Sequence, residues 1–188
     1  MQIEDGKGKG VYASVSHENK LATTSVFASP QQHASGAYGR AFQVTSGIRT
    51  VTGAYGLLAL QNNSPNNMVF TYVRVGVDKV ETAQALIELA LGGIWVAGTA
   101  TDAPVNLNGR YATDAGVLSH YNAVPTTPNT IDRRWLAGPG EVTYNKEGSI
   151  ILPTNGIFAI KVTPETAAVN CHARVSFIML TNDELEDL

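Results

Sequence analysis

The chain has 188 residues, room for one domain and short for two. A hydrophobic share of 44% supplies a core, while a charged share of 15% falls well under the roughly 25% usual for soluble domains. With net charge −3 and no basic run longer than Arg133-Arg134, nucleic-acid binding through a concentrated basic face is excluded; no run of about 18 apolar residues offers a membrane helix.

Gly6, Gly8 and Gly10 open the chain at alternate positions and release its backbone from any fixed conformation. Val11, Ala13 and Val15 then alternate with Tyr12, Ser14 and Ser16, and Ser16-His17-Glu18-Asn19 leads as a polar turn into a second extended run over 20–27. The reading is a loose arm over 1–10 and a β-hairpin over 11–27. Such an arm buries little by itself and is expected to lie on a neighbouring molecule. The opening Asp5-Gly6-x-Gly8-x-Gly10, followed by Ala13-x-Val15 and Asn19-x-Leu21, resembles that of small virion structural proteins of tailed bacteriophages. Those proteins are usually labelled head decoration, cement or minor structural proteins, and their genes often stand beside that of the major capsid protein. The resemblance implies a virion component, with Asp5, Gly6, Gly8, Gly10, Val11, Tyr12, Val15 and Leu21 as the arm residues that meet the capsid. It leaves head, neck and tail open.

Further along, 31–47 reads as a polar connection, 56–61 as a strand, and Ser64-Pro65-Asn66-Asn67 as a turn. Over 68–77, Val69, Thr71, Val73, Val75 and Val77 share one face, with Phe70, Tyr72 and Arg74 on the other. Residues 79–91 are rich in helix formers, yet Ala83, Ala85, Ile87, Leu89 and Leu91 also alternate. Helix and strand both remain open there, and the β-rich setting tips the reading to a strand. Ile94-Trp95-Val96 resumes a strand pattern, with Trp95 read as core. The region 98–140, with Pro104, Pro125, Pro128 and Pro139, reads as a long loop of the kind that is functional or ordered by a partner. In 156–162, Phe158, Ile160 and Val162 share a face. Over 169–180, Val169, Cys171, Ala173, Val175, Phe177 and Met179 point inward and Asn170, His172, Arg174 and Ser176 outward, while Ile178 and Leu180 predict a covered outer end. The acidic 182–188 reads as a frayed, solvated tail. About eight strands with long connections predict an all-β fold, an antiparallel β-sandwich of jelly-roll type. Its parts are an arm and hairpin over 1–27, a sandwich over 28–181 and a tail over 182–188.

Catalytic patterns are not evident. The four histidines, His17, His33, His120 and His172, have no metal-ligand spacing, and the single Cys171 forbids an intrachain disulfide. Gly6-Lys7-Gly8-Lys9-Gly10 lacks the spacing of a phosphate loop, and no Gly-x-Ser-x-Gly elbow occurs. Asp132 near Arg133-Arg134-Trp135, and Glu141 near Tyr144, can be drawn as a glycosidase pair, but acids beside aromatics are ordinary on surfaces. Arg133, Arg134, Trp135, Tyr111 and Tyr121 are instead the candidate interface residues, aromatic and arginine side chains of the type that anchors protein contacts.

The resulting expectation is a non-enzymatic virion protein with no cofactor and no bound metal, made in the host cytoplasm and placed on the outer surface of the head. Its expected partners are the major capsid protein and further copies of itself, a trimer before a dimer because capsids offer three-fold sites, with neither nucleic acid nor membrane. The alternatives are a neck, tail or fibre-base component, and a host- or glycan-binding module using the aromatics.

Overall fold

The computed structural model describes residues 2–4, 12–14, 39–79, 84–109, 114–137, 139–145 and 149–186. In chain order these carry β1 (Gln2–Glu4), β2 (Tyr12–Ser14), β3 (Ala41–Thr45), β4 (Arg49–Val51), β5 (Tyr55–Asn62), β6 (Asn67–Lys79), β7 (Gln84–Leu91), β8 (Thr99–Ala100), β9 (Val105–Asn106), β10 (Val117–Tyr121), β11 (Asn129–Ala137), β12 (Gly140–Asn145), β13 (Ile151–Leu152), β14 (Ile157–Pro164), β15 (Val169–Leu180) and the helix α1 (Asn182–Glu186).

Four antiparallel pairings make the frame: β3 with β15, β5 with β14, β6 with β12, and β7 with β11. First joins last and each inner strand joins its mirror, as in one long hairpin rolled up so that successive rungs fall in alternate sheets. One sheet runs β11-β7-β14-β5-β10-β8 and the other β12-β6-β15-β3-β9, with β13 beside β6 and β4 beside β15. This is an antiparallel β-sandwich in jelly-roll order, as the strand patterns predict. The tip of the rolled hairpin lies between β7 and β11, where residues 92–128 are inserted. The insertion contributes β10 and, beyond it, β8 to the far end of one sheet and β9 to the end of the other.

The core forms where the two sheets face each other. All six inward residues expected on β15 lie in it, together with Ala85, Ile87 and Leu89 of β7 and Phe158, Ile160 and Val162 of β14. Residues 84–91 are therefore a strand: helix propensity yields because both edges of β7 find partner strands. Phe70 and Phe158, from opposite sheets, meet with ring centroids 4.7 Å apart.

Several expectations need correction. The strict alternation read across 68–77 breaks at Thr71, an extra residue where the β6–β15 register shifts. Val73, Val75 and Val77 point inward, but beyond the shift Met68 and Phe70 do so, and Val69 joins Ala41 and Ile178 outside. The polar 31–47 stretch contains β3, and the 98–140 loop contains β8 to β11. Ile94-Trp95-Val96 is not a strand and makes only an isolated bridge from Ile94 to Thr126. At the N-terminus, Gln2–Glu4 pairs antiparallel with Tyr12–Ser14, so the first strand lies before the glycines, inside the segment read as a loose arm. Of the arm residues, Tyr12 lies in β2; Asp5, Gly6, Gly8, Gly10, Val11, Val15 and Leu21 lie outside the described residues.

The acidic tail is not frayed through Glu186. Thr181 and Glu184 form a reciprocal cap: the Thr181 N–H donates to Glu184 Oε2 at 2.9 Å, and the Glu184 N–H donates to Thr181 Oγ1 at 3.3 Å. Leu185 packs onto Ile178, covering the apolar end of β15, and Arg40 donates to both Glu184 oxygens at 2.7 and 2.6 Å. The Thr181 N–H foremost, then the Thr181 hydroxyl and Arg40, hold the Glu184 carboxyl below its ordinary pKa against a smaller opposing effect of burial. A depressed carboxylate stabilises the fold above its unfolded pKa, and that contribution is lost as pH falls through the folded value. Thr181→Ala is expected to cost about 1 kcal/mol, a fall in Tm of roughly 2–4 °C in a thermal melt at neutral pH.

Candidate interface site

The interface candidates 133–135 sit on an edge strand rather than a loop. β11 closes one end of the six-stranded sheet, and among the described residues it pairs with β7 alone. Its residues are exposed almost throughout, Trp135 to 56% and Ile131 to 40%. Ile131 is the extra residue of a bulge, between Thr130 opposite Ala90 and Asp132 opposite Leu89.

The two faces of β11 carry different chemistry. On the outer face, Arg133 stands opposite Glu88 of β7, which stands opposite Lys161 of β14. Arg133 Nη2 approaches Glu88 Oε1 to 2.6 Å and Lys161 Nζ approaches Glu88 Oε2 to 3.0 Å. Glu88 is buried although its partners reach solvent. Burial is the largest single influence on its carboxyl and pushes the pKa up. Hydrogen bonds and charges from Lys161 and Arg133 together outweigh it, and the net shift is downward.

On the inner face, Arg134 lies 4.8 Å over the ring of Tyr144 from β12 and 3.6 Å from Asp132 Oδ1. The two neighbouring edge strands, one from each sheet, thus close this side of the sandwich. Tyr144 is buried and its hydroxyl has no hydrogen-bond partner among the described residues. Burial, then the Asp132 charge, push that phenol up to about 12 against the opposing pull of Arg134.

Tyr121 is not part of this group. It ends β10, four strand positions from β11 and so roughly 19 Å away at the usual strand spacing. Its ring is covered by the Arg49 guanidinium, 3.6 Å from the centroid. Tyr111 lies outside the described residues.

Sequence reading missed how the insertion returns across the outer face of the same sheet. Trp95 is half-buried there against Ala59, Ala123 and Ala159 and meets the His120 ring edge-on at 5.1 Å, instead of entering the sandwich core as expected. Gly56 makes the close approach possible, since a Cβ there would stand 2.0 Å from the Ala123 carbonyl oxygen. The signal in the sequence is the run of small residues at outward positions on β5 and β14, which leaves a trough for an indole.

A second cluster lies on the outer face of the other sheet. The His172 imidazole lies across Gly76, with Nδ1 3.2 Å from Asp78 Oδ1 and Nε2 4.0 Å from Glu141 Oε1, which Arg74 Nε approaches to 3.2 Å. Among the described residues no group of three or more His, Cys, Asp or Glu side chains could hold a metal ion, and no helix is long and apolar enough to cross a membrane. Cys171 is buried, and burial first, with the Asp78 charge, pushes its thiol up to about 12, far from a reactive thiolate.

No family model matches the chain, and no curated protein matches it. Among solved structures it is similar, at a TM-score of 0.22 and 12% identity, to a chain from the structure of infectious bursal disease virus, Gx strain; the similarity covers 89% of this chain and 46% of that one.

Proposed function

We propose that the protein is a non-enzymatic structural component of a bacteriophage virion, a decoration or cement protein that binds and stabilises the assembled head. One observation carries this reading. Of the ten large apolar side chains exposed among the described residues, all but Ile48 and Ile151 fall on the insertion and β11: Ile94, Val96, Val105, Leu107, Leu118, Val124, Ile131 and Trp135. A sandwich that seals its core so completely, yet concentrates exposed apolar groups on one insertion and one edge, has the surface of a protein made to adhere. The resemblance of the Asp5 to Leu21 opening to phage virion proteins gives that adhesion its setting. Ordering a glycine-rich segment costs about 1–2 kcal/mol per residue, a cost best met on a repeating lattice where many copies act together.

The test is deletion of residues 1–10. The truncated chain is expected to fold, with an unchanged far-UV spectrum, and to lose its binding to particles lacking the native protein. Undiminished occupancy would refute the role of the arm. Copy number separates the head from the neck or tail: hundreds per particle fit decoration and a dozen or fewer do not. Exposure of Trp135 also suits stacking on a sugar ring; saturable binding on a glycan array, lost in Trp135→Ala, would favour that reading.

A further inference from the structure

We propose that β11 is a self-association edge, pairing antiparallel with β11 of a second copy about a two-fold axis through Arg133. The proposal rests on the adhesive role above and assigns it a first partner, another copy of this chain joined two-fold rather than three-fold.

A nine-residue strand with exposed side chains, whose outer edge has no partner strand among the described residues, is a template for another strand. What selects the strand here is the order of residues on β11. Reversing Ile131-Asp132-Arg133-Arg134-Trp135 against itself about Arg133 sets Asp132 opposite Arg134 of the second copy, and Arg134 opposite its Asp132. At each end of that run the bulged Ile131 falls beside Trp135, bringing together the two exposed apolar side chains of the strand. Any axis through a charged residue sets like charges opposite once; at Arg133 each guanidinium is already neutralised by Glu88 of its own chain at 2.6 Å, whereas an axis at Asp132 or Arg134 also forfeits both Asp132–Arg134 cross-strand pairs. Cross-strand pairs of opposite charge, and aromatic with β-branched pairs, are the favourable ones, and like charges directly opposite are not.

Arg133 itself meets its counterpart at the axis. Each Arg133 is already bound to Glu88 of its own chain, and each lies diagonal to Trp135 of the second copy, within reach of its ring. The same charges guard the edge. A foreign apolar strand would take the Asp132–Arg134 pair of this chain, 3.6 Å apart, out of water and add no countercharge, whereas the reversed copy offers one to each.

Sedimentation of the intact wild-type chain is expected to give twice the 20.0 kDa chain mass. Asp132→Arg and Arg134→Asp should each abolish self-association, since like charges then face each other in both cross-strand pairs. An equimolar mixture of the two variants should restore a dimer, because every cross-strand pair again joins opposite charges. Only a pairing that sets 132 against 134 gives this result. A monomeric wild type, either variant remaining dimeric, or a mixture of folded variants remaining monomeric overturns the proposal. Should either variant fail to fold, Arg133→Cys decides: oxidation is expected to cross-link it into a covalent dimer, because residues on the axis stand about 4.5–5.5 Å apart at Cα, within disulfide reach. The buried Cys171 leaves the wild type as the uncross-linked control. No covalent dimer from Arg133→Cys overturns the pairing. All of this is read on the isolated chain, so its failure leaves particle binding to be decided by the deletion experiment.

Discussion

Phe158→Ala is expected to remove about 3–5 kcal/mol of stability, much of the 5–15 kcal/mol that a domain of this size holds. Phe158 is fully buried on β14, between β7 and β5, and its ring meets Phe70 of β6 across the sandwich. The pair joins strands from opposite sheets, so truncation removes contact area and leaves a cavity at the point where the sheets hold each other. The rungs of a rolled hairpin on either side cannot close that gap independently, because each is hydrogen-bonded into its own sheet. Urea unfolding followed by circular dichroism measures the loss. Phe158→Leu should cost less than the alanine variant because it refills most of the volume. Trp135→Ala, at an exposed site on β11, should stay within about 0.5 kcal/mol of wild type. If the tryptophan variant proves the more damaging, the core has been placed on the wrong side of the sheet.

That contrast follows how the fold can be read from its sequence. β15 is legible because one face of it meets the core along its whole length, so every second residue is apolar from Val169 to Met179. Its outer end is legible too, as Ile178 and Leu180 announce the helix that covers them. β6 is legible only after Thr71, because the extra residue there moves the inward set from Val69 to Met68 and Phe70 while every position of 68–71 but Thr71 stays apolar or aromatic. β11 shows no apolar alternation: its inner face carries Asp132 and Arg134 where a central strand would carry apolar residues, and the neighbouring prolines make it read as loop. The candidate site was therefore found by residue type, through Arg133, Arg134 and Trp135, while its nature as an edge came from the strand pairing. Tyr121 was drawn in by the same criterion, although a guanidinium already covers its ring. Trp95 reads as core, yet the small residues that receive it lie on the outer face, on β5, β14 and the returning insertion.

Removing both cations that hold Glu88, in the double variant Arg133→Met with Lys161→Met, is expected to cost about 3 kcal/mol or more at neutral pH and to reverse the pH dependence at this site. The carboxylate would remain buried with its countercharges gone, and an uncompensated buried charge is among the most destabilising single defects. The signs follow from the opposing causes acting on Glu88. In the wild type, Lys161 and Arg133 outweigh burial and the folded pKa is depressed. The group then contributes stability above the ordinary glutamate value of about 4.3, lost as pH falls through the lower folded value. In the double variant burial acts alone, and the folded pKa rises above the unfolded one. The penalty is then fully present above the raised value and is relieved as pH falls toward about 4.3, where the carboxyl is neutral in both states. Urea midpoints for wild type and variant between neutral pH and pH ~4 should accordingly converge on acidification. Glu88→Gln in the double-variant background should recover most of the loss at neutral pH, since the neutral amide fits the same space without a charge. Midpoints that fall in parallel with pH would show that Glu88 keeps solvent contact when its partners are gone, and would end the argument that this row is held by compensation of a buried charge.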